Sequence, residues 1–321
     1  MSVIRPLKPY LTAIEQIALL KKRGLAIPDD AVGLQALARF GYYRLSGYYY
    51  PLRKTNPVGV PGRQDEFIDN SSLDLVVRVA DFDKRLRLLA LDAIESVETA
   101  VRVAIAHRLG KLDPLAHRNP KLLDSRFMEK RRNPRSSKIM SPYEEWILRF
   151  EAACRNSKEE FAKHYEDNYP AMPIWVAVEL WDFGMLSRLY EGLQRRDRDA
   201  LAKMFAPIDG PIFINWLRCF NFIRNVAAHH SRLWNRTLPD VLKLPALEAC
   251  WDLKPLHGGV TARSKLFGAF TCLRLILRKI HPDSTWHQRV KDHIATFPNT
   301  TLISLTSASF APGWMDLPIW K

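Results

Sequence analysis

The residues of this chain best equipped for chemistry are concentrated in NFIRNVAAHHSRLWNR, residues 221–236, which sets two histidines and three arginines among amides. Placed on a helix at about 100° per residue, Asn225, His229, Arg232 and Arg236 fall within about 60° of one another. Arg224 flanks that polar face. Phe222, Val226 and Leu233 form the near edge of an apolar stripe, with Ile223 and Trp234 at its far side. His230 lies about 140° from Asn225, inside the stripe, and reads as a core or supporting histidine. Such a face suits cleavage of RNA by attack of a 2′-hydroxyl. That reaction needs a proton acceptor, a proton donor and positive charge on the phosphorane. Histidine serves either proton role near neutral pH, and arginine grips phosphate oxygens through paired hydrogen bonds. Asparagine orients the ring or the phosphate. A surface helix with solvated charges and ordinary histidines fits the same segment.

The elements that must position this face are helical. Thr12 with Glu15 makes a capping box for a helix to Arg23, stopped by Gly24. A second helix starts near Asp29 and runs toward the tyrosine-dense GYYRLSGYYYPLR. Residues 54–70 read as a loop. The strongest helix starts at Ser71 and ends at Gly110. Its apolar positions (Leu75, Val79, Phe82, Leu86, Leu89, Ile94, Val97, Val101, Ile105) recur every three to five residues. Asp83 with Arg87 and Glu98 with Arg102 are placed on its outer side as i,i+4 pairs. Residues 111–140 are polar and irregular, and 126–138 reads as a mobile basic loop. Ser141, Pro142 and Glu144 then open a helix. More helices are expected at 157–167, 173–181, 184–194, 211–236, 261–279 and 286–296. Period-two alternation is nearly absent, so the fold class is all-α: a multi-helix bundle with an N-terminal helical extension. Residues 1–70 read as a helical region and 71–321 as a helical domain carrying the basic loop 111–140, or the two as one continuous domain.

Composition narrows the partners. With 48 Lys and Arg against 34 Asp and Glu, the net charge is +14, which favours a polyanion such as RNA or DNA. The four cysteines, Cys154, Cys219, Cys250 and Cys272, form no CxxC pair, so neither a disulfide framework nor a structural zinc site is expected. They read as buried thiols in a reducing compartment. No metal or cofactor is called for. The N-terminus has no signal-peptide core and no apolar run is long enough to span a bilayer, so the cytoplasm is the expected location.

Arg224-Asn225-Val226-Ala227-Ala228-His229 has the form R-N-x-x-x-H and resembles the catalytic motif of HEPN ribonucleases. The longer RNVAAHHSRLWNR resembles the Abi-like family of abortive-infection proteins, the AbiD/AbiF group. GYYRLSGYYYPLR (41–53) is similar to that family's N-terminal signature. DKRLRLLALDAIESVETAVR (83–102) resembles its long central helix, and PIWVAVELWDFGMLSRLY (173–190) its Trp-Glu and Phe-Gly segment. The resemblance covers about residues 8–320. It implies a HEPN bundle and a metal-independent endoribonuclease acting in phage defence, as an abortive-infection effector or toxin. Arg224, Asn225 and His229 would be catalytic. HEPN nucleases join two motifs across a dimer, so a single motif here implies a homodimer. A small non-coding RNA is implied as a further partner. Arg102 to His107 repeats the RxxxxH spacing but lacks the polar residue after Arg, and reads as structural.

Supporting roles fall to other residues. Glu95 or Glu98 could pair with Arg224 or Arg232, or serve only as a solvated face with i,i+4 partners. Tyr43, Arg44 and the neighbouring tyrosines could stack on bases and grip phosphate, or pack in a core with surface hydroxyls. Lys130, Arg131, Arg132 and Arg135 could hold an RNA backbone, or form a solvated charge run. Trp175, Trp181 and Trp234 read as core. Non-catalytic RNA binding, and a degenerate bundle used for dimerisation, are the competing functions.

Overall fold

The long apolar repeat produces a helix from Leu73 to Gly110, 38 residues, in the computed structural model of the protein, which describes residues 7–132 and 139–321. Helices dominate the described residues, with only two short two-stranded antiparallel ribbons, and the protein is all-α as expected. None of the described helices is long and apolar enough to cross a membrane.

The chain forms two compact units. The first holds residues 1–86 and 291–307. Its opening helix, Ala13–Lys22, has the Thr12/Glu15 capping box, and Gly24 leaves it at φ +92°. The Asp29 side chain accepts from the Ala31 amide to start Asp30–Phe40, and Gly41 at φ +78° turns the chain into Tyr42–Tyr49. Residues 53–67 are not a plain loop. Arg53–Thr55 pairs with Arg63–Phe67, and Asp65 ties Arg23 (2.6 Å) to Arg53 (3.2 Å). The tyrosines divide. Tyr48 and Tyr49 are buried, whereas Tyr43 is 89% exposed.

The second unit holds residues 87–290 and 308–321. Arg131–Arg132 pairs antiparallel with Ile139–Met140, and Arg135 lies outside the described residues. Pro142–Asn156 begins with the Ser141/Glu144 capping box. Glu160–Asn168, Phe183–Gly192, Arg195–Phe205 and Gly210–Ala228 follow. The helix expected at 261–279 is broken at Ser264 and Lys265, giving Val260–Arg263 and Leu266–Ile280. The amides of Leu242 and Leu238 take the carbonyls of Arg263 and Ser264, so those carbonyls do not continue a helix. Leu266–Ile280 is apolar nearly all round and buried from Leu266 to Leu277. With Trp146, Phe150, Tyr190, Phe213, Trp216 and Phe220 it builds the core of this unit.

The two acid–base pairs of the long helix do not face outward. Asp83 and Arg87 are buried, and Glu98 and Arg102 are mostly covered. Apolar spacings of three, four and five drift around a helix of this length, so neighbours cover more than one side. Polar groups between them then need partners. The Tyr48 hydroxyl donates to Asp83 Oδ2 at 2.8 Å, and Arg102 Nη2 donates to the Trp181 carbonyl at 2.5 Å.

Candidate functional site

The site is built on the helix Gly210–Ala228. Asp209 caps it, its carboxylate accepting from the Ile212 amide at 2.9 Å, and Pro211 occupies the first turn. Ile212, Phe213, Trp216, Leu217, Phe220, Ile223, Val226 and Ala227 are buried at helical spacing. They pack on Phe183–Gly192, Arg195–Phe205 and Leu266–Ile280. That burial fixes the rotation of the helix and leaves Arg224 half-buried and Asn225 exposed on its other side. Arg224 Nη1 donates to Asn225 Oδ1 at 3.3 Å, so the two side chains brace each other.

The helix ends earlier than 236. Ala228 is its last residue and His229 its C-cap. The His230 amide bonds to the Ala227 carbonyl at 3.0 Å and the Ser231 amide to the Val226 carbonyl at 2.9 Å. These are the two bonds of a Schellman cap. His230 takes the left-handed position at φ +55°, where glycine is usual. Both histidines are exposed. His229 therefore lies where a substrate could reach it, one turn after Asn225, whose carbonyl accepts the His229 amide at 3.0 Å. The expectation of a core His230 is corrected: the chain reverses there, so the face predicted by continuing the helix does not exist.

Arg232 and Arg236 for the same reason leave the helical face. They return by a different route. Leu233 and Trp234 are buried and pin the descending chain. The Arg236 guanidinium lies 5.6 Å from the centre of the Phe222 ring, on the motif helix, and its Nη1 donates to the Arg232 carbonyl at 3.4 Å. Lys265 joins them, donating to the Asn235 carbonyl (3.3 Å) and the Thr237 hydroxyl (2.7 Å). Burial, and then the charge of Arg232, lower the Lys265 pKa. Cations thus crowd this end of the helix. From the long helix, Arg87 Nη1 reaches the Ser231 carbonyl at 3.4 Å and ties down the turn.

Glu98 lies on the other flank. It pairs with Arg102, and burial raises its pKa, opposed by Arg102 and Arg224 and reinforced by Asp182 and Glu95. Glu98 is thus an i,i+4 partner of Arg102, and the charge of Arg224 acts on it without a direct ion pair. Glu95 is exposed. Asp182 caps Phe183–Gly192 through the Met185 amide (2.9 Å) and holds Arg149 at 2.5 Å. A Cβ on Gly184 would lie 3.1 Å from Asp182 Oδ1 and 3.7 Å from both Arg149 Nη1 and Asn221 Nδ2. The glycine lets this polar cluster close. Arg87, Arg149, Asp182, Asn221 and Lys265 were not singled out as site residues from sequence. Only Asp182, as the cap before Phe-Gly, carried a local signal.

Among the outlying residues, Arg44, Lys130, Arg131 and Arg132 are exposed, as is Tyr43. Lys130 Nζ lies 3.6 Å from Glu144. Trp175 departs from expectation: it is 51% exposed, whereas Trp181 and Trp234 are core. Arg102 is held by Glu98 and the Trp181 carbonyl, and His107, at the other end of that spacing, is exposed. The four cysteines are free thiols, three buried and Cys154 half-buried. Among the described residues no cluster of three His, Cys, Asp or Glu suited to a metal occurs.

No curated protein and no solved structure matches the chain. The family model described as Abi-like protein matches residues 35–235, from within the helix Asp30–Phe40 through the turn beyond His229. The chain belongs to the Abi-like protein family.

Proposed function

We propose that the protein is an endoribonuclease of the HEPN type acting in abortive-infection defence, with Arg224, Asn225 and His229 as its catalytic residues. One observation carries this reading. The helix end exposes His229 one turn after an Asn225 that is hydrogen-bonded to Arg224, Arg232 and Arg236 add positive charge in the segment that follows, and Lys265 reaches that segment from elsewhere in the chain. The residues match the demands of strand cleavage. A base takes the proton of the 2′-hydroxyl, the O2′–P bond forms as the P–O5′ bond breaks, and an acid returns a proton to O5′. The products are a 2′,3′-cyclic phosphate and a 5′-hydroxyl end. Arginine pairs with phosphorane oxygens as charge develops. One chain supplies one such histidine, so the base and the acid would come from His229 of two copies in a homodimer. Tyr43, Arg44 and Lys130–Arg132 would contact the strand outside the reacting phosphate.

The test is incubation of the purified protein with total RNA, with and without EDTA. Cleavage that resists EDTA, leaves cyclic phosphate ends and falls by about 100-fold or more in His229→Ala and Arg224→Ala is the expected result. Circular dichroism should be unchanged for His229→Ala, because that side chain is exposed. Binding of RNA without cleavage would replace this reading with a non-catalytic RNA-binding protein that holds a small non-coding RNA. Absence of RNA affinity would dismiss both.

A further inference from the structure

We infer that a groove at the end of the long helix is a subsite for an unpaired guanine base of the RNA strand, an inference that rests on the nuclease reading for its choice of ligand. The groove, about 330 Å³, is lined by Val103, His107, Gly110, Lys111, Trp175 and Glu179. Three features make it a base site. First, the indole of Trp175 is seated on Gly110. A Cβ there would come within 3.2 Å of its Cε3 and 3.3 Å of the Ile174 methyl, so the absence of a side chain lets the ring lie close to the helix. The rest of the indole stays open, and Val103 beside it is 48% exposed. An exposed tryptophan held against a rigid helix is a stacking platform, and bases stack on such rings with little dependence on sequence.

Second, Glu179 lines the same groove with its carboxylate about half exposed. Two carboxylate oxygens accept from the N1–H and 2-amino groups of guanine. Adenine presents an unprotonated ring nitrogen at the corresponding place and is repelled. Third, His107 and Lys111 are both exposed and stand one turn apart on the helix end, where they can meet the phosphate of a bound nucleotide. These polar groups interrupt the apolar surface that a docking helix would need. Glu179 in the groove also lies near the acid–base pair of the long helix. Arg102 lies 4.0 Å from Glu179 and pairs with Glu98, which feels the charge of Arg224. From Glu98 to Val103 the long helix rises about 7.5 Å. A base held in this groove would favour strands that carry an unpaired guanine.

The test is calorimetric titration of the full-length protein with GMP and with AMP. GMP should bind at least about tenfold more tightly. Trp175→Ala should lower GMP affinity by roughly tenfold, and Glu179→Gln should erase the preference over AMP while leaving stacking. Equal affinities, no GMP binding, or binding unchanged in Trp175→Ala would overturn the subsite. So would a Trp175→Ala protein that changes only its sedimentation, which would make the groove a contact between copies. The RNA assay separates the two readings. Cleavage with no GMP discrimination ends the subsite alone, and GMP discrimination without cleavage ends the nuclease alone.

Discussion

His230 sits at φ +55° with an exposed ring. A side chain in this region costs on the order of 1 kcal/mol relative to the right-handed one, and histidine is among the residues that tolerate it best. The expected consequence is that His230→Gly raises stability by about 0.5–1 kcal/mol, measured by urea unfolding, while His230→Val lowers it by about 1–2 kcal/mol. His230→Ala should stay within about 0.5 kcal/mol of the parent, as an exposed surface change does. A loss of several kcal/mol in that variant would restore the buried histidine that helical periodicity suggests. At neighbouring His229 the expected loss is of catalysis, not stability.

At the scale of elements, the motif helix is specified at both ends by local chemistry and along its length by burial. Asp209→Ala removes the acceptor for the Ile212 amide at the far end from the site. It should lower stability by about 1 kcal/mol without changing the rate constant of RNA cleavage at saturating RNA. A rate that falls in step with stability would show that the helix frays as far as Asn225. The opposite end depends on other elements: Arg87 bonds Ser231, and buried Leu233 and Trp234 anchor the turn. The break at Ser264 belongs here too, since the amides of Leu238 and Leu242, in the stretch after that turn, take the Ser264 and Arg263 carbonyls.

For the molecule as a whole, His117 contributes to acid sensitivity, as does His293, whose pKa burial also lowers. The His117 ring is fully buried, edge-on to Phe150 at 5.1 Å and tilted against Trp181 at 6.2 Å, and neither nitrogen has a hydrogen-bond partner. Burial, and then the charge of Arg118, lower its pKa from 6.5 to about 4, opposed by Asp113. The folded state therefore prefers the neutral ring, and the unfolded chain takes up a proton first. Stability is fully present above pH 6.5 and drains away as pH falls toward 4, by about 3 kcal/mol from this group. Glu98 acts in the opposite sense, because its raised pKa favours the folded state as acid protonates it. His117→Leu should flatten the acid limb in denaturation measured between pH 7 and 4. An unchanged limb would assign it to other groups.

The sequence by itself determined the helical class, the capped starts at Thr12, Asp29 and Ser141, the long helix, and the segment that carries Arg224, Asn225 and His229. These follow from short-range rules: a cap bonds three residues onward, and helical spacing sets which side is apolar. The tertiary structure alone decided where the motif helix stops, that His230 turns outward, and that Arg236 returns over Phe222 instead of along the helix. It also decided that Asp83 and Arg87 are buried and that Trp175 is open. Periodicity cannot foresee these features, because the helix end competes with the burial of Leu233 and Trp234, and exposure depends on which neighbours arrive from distant parts of the chain.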